Sequence, residues 1–91
     1  MAYFVIGYDQ QAGKNSPEVL EALKEWRAVR LLDVLWLVEH DTSPADLRDV
    51  LERAMKGEGG IAVIELKAGS EWAAFRAKPS GVAWLRNHIL P

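Results

Sequence analysis

No cysteine occurs among the 91 residues. Disulfides, zinc–thiolate centres and thiol nucleophiles are therefore excluded, and a reducing compartment is the natural expectation. Long apolar runs are also missing: none approaches the roughly 18 residues of a membrane span. The opening stretch, MAYFVIGYDQ, lacks the basic n-region of a secretory signal, so a cytoplasmic location is expected. Charge of one sign is lacking as well. Lys and Arg number 11 against 13 Asp and Glu, and a net charge of −2 disfavours a blanket nucleic-acid binder. Low-complexity tracts, linkers and internal repeats are absent. What remains is 49% apolar and 26% charged, the profile of a single globular domain over residues 1–91.

The apolar residues fall into short runs separated by turn chemistry. Ala2 to Tyr8 is rich in β-branched and aromatic residues and predicts a strand buried on both faces, followed by a polar loop from Asp9. Ser16-Pro17-Glu18 predicts a helix start, with Ser16 as cap and Pro17 at the first helical position. Val19, Leu20, Leu23 and Trp26 then recur at helical spacing to an end near Arg27 or Ala28. Val29 to Glu39 is too apolar for a surface helix. It predicts either one bent strand or two strands joined by a tight turn near Asp33, a position that marks a bulge, a sheet edge or a functional carboxylate.

Ser43-Pro44-Ala45-Asp46 predicts the second helix start, with Ser43 as cap. Leu47, Val50, Leu51, Ala54 and Met55 form its apolar stripe, and Gly57 to Gly60 end it. Ile61 to Leu66 predicts a strand. Glu71 to Ala77 alternates weakly and predicts a further edge strand, which Lys78-Pro79-Ser80-Gly81 breaks. Val82 to Leu90 predicts a short terminal helix. The order is that of an α+β, ferredoxin-like βαββαβ sandwich with a C-terminal strand and short helix.

Two helices cover only one face of such a sheet, yet the strands are apolar on both. Either the last strand and terminal helix fold over the second face, or a homodimer packs face to face or exchanges C-terminal segments; the dimer is the expectation.

Few residues offer chemistry. Asp9 follows a strand at the head of a loop, where a carboxylate reaches solvent and a divalent ion. The same position suits a residue that satisfies turn amides, and on the residues alone that role is preferred. His40-Asp41 sits at a strand end beside a helix start, in a loop and cap role. His88 suits a helix C-terminus, where a cation is favoured. Neither histidine belongs to a triad motif. Glu65 and Glu71 read as edge charges that block strand aggregation. Gly57-Glu58-Gly59-Gly60 follows a helix and precedes a strand, the reverse of a phosphate loop. Residues 67–91 carry Lys67, Arg76, Lys78 and Arg86 against Glu71, a net of +3 that leaves −5 for the rest. Trp72, Phe75 and Trp84 are interleaved with these cations. Such a segment contacts nucleic acid through Arg76, Lys78 and Arg86, or its aromatics belong to the core and its cations to a solvated rim; the second is preferred.

Taken together, the strand ending Tyr8-Asp9, the helix with Leu20-Glu21-Ala22-Leu23, the strand ending Trp36-Leu37-Val38, the helix SPADLRDVL and the strand IAVIEL form one pattern. Over about residues 2–90 it resembles the small bacterial SinR-like proteins, grouped with CRISPR-associated protein two and the virulence-associated protein D toxins. The resemblance implies a ferredoxin-like homodimer. It also implies that Asp9, at the end of the first strand, lies near the dimer axis and serves metal-dependent (Mg or Mn) cleavage of RNA or DNA. The alternative is a non-catalytic dimeric module that binds nucleic acid or a partner protein in a defence or toxin–antitoxin system.

Overall fold

A computed structural model describes residues 1–9, 17–56 and 59–89. Its elements run β1 (Ala2–Tyr8), α1 (Pro17–Glu25), β2 (Val29–Leu32), β3 (Leu35–His40), α2 (Pro44–Met55), β4 (Ile61–Leu66) and α3 (Pro79–His88). The four strands make one antiparallel sheet in the order β2-β3-β1-β4, so the two inner strands, β3 and β1, are not consecutive in the chain. This is the α+β, ferredoxin-like arrangement expected from the order of apolar runs.

The long apolar run after α1 is two strands, not one. Asp33 and Val34 form the turn between them. The register shifts between Arg30 and Leu32, so the bulge lies before Asp33 rather than at it. Helix α2 begins as its sequence demands. Ser43 is extended, its Oγ accepts from the Asp46 backbone N–H at 3.1 Å, and Pro44 occupies the first turn. It ends on Lys56 in the left-handed region (φ 58°), which closes the helix ahead of the glycines. Ser16, predicted to cap α1, lies outside the described residues, as do Gly57, Glu58 and Leu90.

Two cores flank the sheet. On one face Phe4, Ile6, Trp36 and Val38 pack against Val19, Ala22 and Leu23 of α1 and Leu47, Leu51 and Met55 of α2. Both helices place apolar residues three and four apart, so each buries one stripe and leaves its charges in water. On the other face Leu37 packs with Trp84, Leu85 and Ile89 at the C-terminal end of the chain, joined by Tyr3, Val5 and Trp72.

The C-terminal segment departs from expectation in two ways. Residues 71–77 form no strand. Their alternation is too weak to hold a register: only Trp72 and Ala77 are half-buried, and the residues between are exposed. The helix begins at Pro79, three residues before Val82, because proline is compatible with a first helical turn and Gly81 is compatible with close packing. Lys78-Pro79-Ser80-Gly81 is thus a helix start and not a breaker. The face-burial argument for a dimer changes accordingly: α3 of the same chain covers the β2–β3 half of the second face. Val5 is half-buried, and Ile64 remains 57% exposed on the other half. Among the described residues, no helix is long and apolar enough to cross a membrane.

Candidate functional site

The C-terminal end of β1, the β2–β3 turn and the start of β4 meet at one end of the sheet. Asp9 leaves β1 there, exposed. Its backbone N–H donates to the Gly60 carbonyl at 3.1 Å, and its Oδ2 accepts from the Gly60 N–H at 3.1 Å. These two bonds carry the β1–β4 ladder one step beyond the Tyr8↔Ile61 pair. A Cβ on Gly60 would come within 3.1 Å of that carboxylate oxygen, so a side chain here would require the Asp9 carboxylate to shift by a few tenths of an ångström. Asp9 therefore serves a backbone amide, as its position after a strand suggests. Among the described residues, no group of three His, Asp or Glu side chains gathers as a metal site requires. One carboxylate already bonded to an amide does not make a magnesium or manganese centre within a single chain.

Beside Asp9 a cleft of about 660 Å³ opens between Gly7 and Tyr8 of β1 and the β2–β3 turn, with Arg76 and Lys78 on its rim. A smaller hollow of about 360 Å³ shares Gly7 and Tyr8 and contains Asp9. The two cations reach the cleft because the irregular stretch after β4 is fastened at both ends. At its start, Ser70 N–H donates to the Lys67 carbonyl at 3.0 Å and Lys67 N–H donates to Ser70 Oγ at 3.2 Å. At its end, Lys78 N–H donates to the Leu31 carbonyl of β2 at 2.9 Å. Lys78 Nζ lies 3.4 Å from Asp33 Oδ1, so the turn carboxylate that the sequence singled out partly neutralises one rim cation. Arg76 has no acidic partner among the described residues. It adopts the left-handed region (φ 57°) and places its guanidinium 4.9 Å from the centroid of the Phe75 ring. Phe75 is 80% exposed.

No family model, curated protein or solved structure matches the chain. The geometry alone sorts the expected residues. Arg76 and Lys78 come together at the cleft. Arg86 does not line it and sits exposed in the last turn of α3. Of the interleaved aromatics, Trp84 is buried and Trp72 packs on the second core, as the core reading holds; Phe75 is the one left to solvent.

Both histidines pack against tryptophan rings. His40 closes β3 and sets its ring edge-on to Trp26 at 5.9 Å. His88 ends α3, stacks on Trp84 at 4.5 Å and places Nδ1 2.9 Å from the Trp84 carbonyl; that contact requires the proton on Nδ1. Its Nε2 lies 3.8 Å from Glu39 Oε1 of β3, an ion pair only when the ring carries both protons. Glu65 sits exposed on β4 and pairs with Lys67 at 3.2 Å. Sequence reasoning missed the supports of the cleft. The Tyr8 hydroxyl accepts from Trp36 Nε1 at 3.2 Å, and Arg30 lies over the Trp36 ring at 4.5 Å. Only strand register brings those residues together, and no local spacing signals it.

Proposed function

We propose that the chain is a homodimeric, non-catalytic module that binds nucleic acid at the rim of this cleft. Arg76 and Lys78 meet phosphate, and Phe75 offers a face on which a base stacks. The observation that carries this reading is Phe75 held 80% exposed beside Arg76, on a segment tied down to β2. An exposed aromatic next to a cation is the pairing by which single strands are gripped, at about 1–3 kcal/mol per stacked base. A relation to the CRISPR-associated protein two-like family is part of the same proposal. It is supported by the βαββαβ order and by Asp9 at the end of β1.

Fluorescence anisotropy with labelled single- and double-stranded RNA and DNA tests the reading. Binding is expected to prefer single strands and to weaken modestly with salt, since each chain contributes two cations. Phe75→Ala should weaken binding by about 5- to 150-fold, the equivalent of one lost stack. The double reversal Arg76→Glu/Lys78→Glu should abolish binding, and binding that survives it overturns the assignment. The same mixtures with Mn²⁺, wild type beside Asp9→Asn, examine cleavage. Cleavage lost with the Asp9 carboxylate would replace the binding module by a metal-dependent nuclease.

A further inference from the structure

Among the described residues that line the larger cleft, Asp33 is the only acid, beside Arg76 and Lys78. It sits in the two-residue turn between β2 and β3, and Lys78 N–H bonds the Leu31 carbonyl just before that turn. Carboxylate and ammonium therefore hang from the same strand end, 3.4 Å apart. The turn itself does not call for an acid. Neither Asp33 nor Val34 has a positive φ, so this is not the type I′ turn that selects aspartate. The Asp33 carboxylate accepts from no backbone amide either; among the described residues its one partner is Lys78. Asp9 is the contrast, since its carboxylate is bonded to the Gly60 amide.

Both side chains are open to solvent, Asp33 79% exposed and Lys78 44%. An exposed pair of this kind is held weakly and yields to a competing ion. The competitor that the proposed function brings to the cleft is phosphate, a second anion with the same demand for the ammonium. We propose that Asp33 is a built-in competitor of phosphate, which occupies Lys78 in the empty cleft and sets how strongly the site holds a nucleic-acid backbone. The proposal rests on the nucleic-acid reading of this cleft and names the group that regulates it.

The consequence follows from counting ions. Each phosphate neutralised by a free cation releases counterions, which adds about 0.7 to the salt slope of single-strand binding. Arg76, with no acidic partner among the described residues, contributes in full. Lys78 contributes little. When phosphate takes its ammonium, Asp33 is left bare and recovers a cation from solution, which cancels the release. The affinity of the wild type then leans on Arg76 and on the exposed Phe75 ring, the part that recognises an unpaired base. Dense phosphate without an accessible base, as on a duplex, gains little from such a site.

Anisotropy with a short labelled oligothymidylate over a KCl series tests it on the full chain. Asp33→Asn keeps the size and the turn chemistry of the side chain and removes the competing charge. It should bind more tightly than wild type, by about 5-fold at about 0.1 M salt, with a slope steeper by about 0.7. Asp33→Ser, which shares the loss of charge, should do the same, and it decides if Asp33→Asn fails to fold. The double variant Asp33→Asn/Lys78→Met should return the slope to that of wild type, because the gain passes through Lys78. An Asp33→Asn protein with native circular dichroism that binds as wild type does, or more weakly, overturns the competitor; loss of binding in Phe75→Ala would then still uphold the binding module. A gain that survives Lys78→Met overturns the competitor as well. Absence of binding by wild type and Asp33→Asn alike, at the lowest salt, overturns both the competitor and the nucleic-acid reading.

Discussion

Gly81 carries the sharpest test of how the chain packs. It lies in the first turns of α3, buried, and a Cβ built there would sit 2.7 Å from Leu31 Cα and 2.8 Å from the Arg30 carbonyl oxygen. Both contacts are backbone, so no rotamer change relieves them. Carbon atoms pack at about 3.5–4.0 Å, and the Gly81→Ala variant therefore has to lift α3 from β2 by roughly 1 Å. Overpacking of this type costs about 1–3 kcal/mol. The same substitution within an exposed helix would gain about 1 kcal/mol from helix propensity. The clash is the larger effect, because the displaced helix carries Trp84 and Leu85 into the second core. The net expectation is a loss of about 1–2 kcal/mol, or a fall in Tm of roughly 5–15 °C for a domain of this size. Urea unfolding followed by circular dichroism, with tryptophan fluorescence reporting on Trp84, measures it. Ala83→Gly, at an exposed position of the same helix, should cost about 1 kcal/mol from propensity while leaving the native Trp84 emission unchanged. A Gly81→Ala protein as stable as wild type, or more so, would refute the close approach of α3 to β2.

Two further substitutions probe the first core and the helix that supports it. Leu51→Ala removes a side chain with no exposed surface and should cost about 2–5 kcal/mol in urea unfolding. Ser43→Ala leaves the Asp46 amide without its acceptor and should cost about 1 kcal/mol, which Ser43→Asp should restore.

Most of the elements were legible because each carries its own signal. Ser43-Pro44 starts α2 where a cap followed by proline demands it, and the apolar stripe through Leu47, Leu51 and Met55 faces the sheet as its spacing predicts. The β-branched runs at Ala2–Tyr8 and Ile61–Leu66 are strands with the predicted boundaries. The errors fall where the signal is not local. Residues 71–77 alternate like an edge strand, but an edge strand needs a neighbouring ladder, and none forms here; the bond to the Leu31 carbonyl of β2 comes from Lys78, just after the stretch. Gly81 looks like a breaker until the Leu31 backbone is seen beneath it. The candidate site was legible in part. Arg76 and Lys78 are close in sequence and remain together, whereas Arg86 is carried away along α3. Asp9 stood out by position, and its engagement with Gly60 depends on a residue more than fifty positions distant.

The division between the two levels has a physical cause. Periodicity, capping and turn chemistry act within a few residues, so the sequence by itself determined the type and order of the elements up to β4 and hence an α+β sheet with two helices on one face. Which element covers the second face was open, because apolar alternation states that a face is buried and not by what. The tertiary structure decided it in favour of α3, through the contact of Gly81 with β2 and the packing of Trp84 and Leu85 beneath. It also decided which cations share a cleft. These outcomes arise from pairings between distant residues, and no local pattern encodes them.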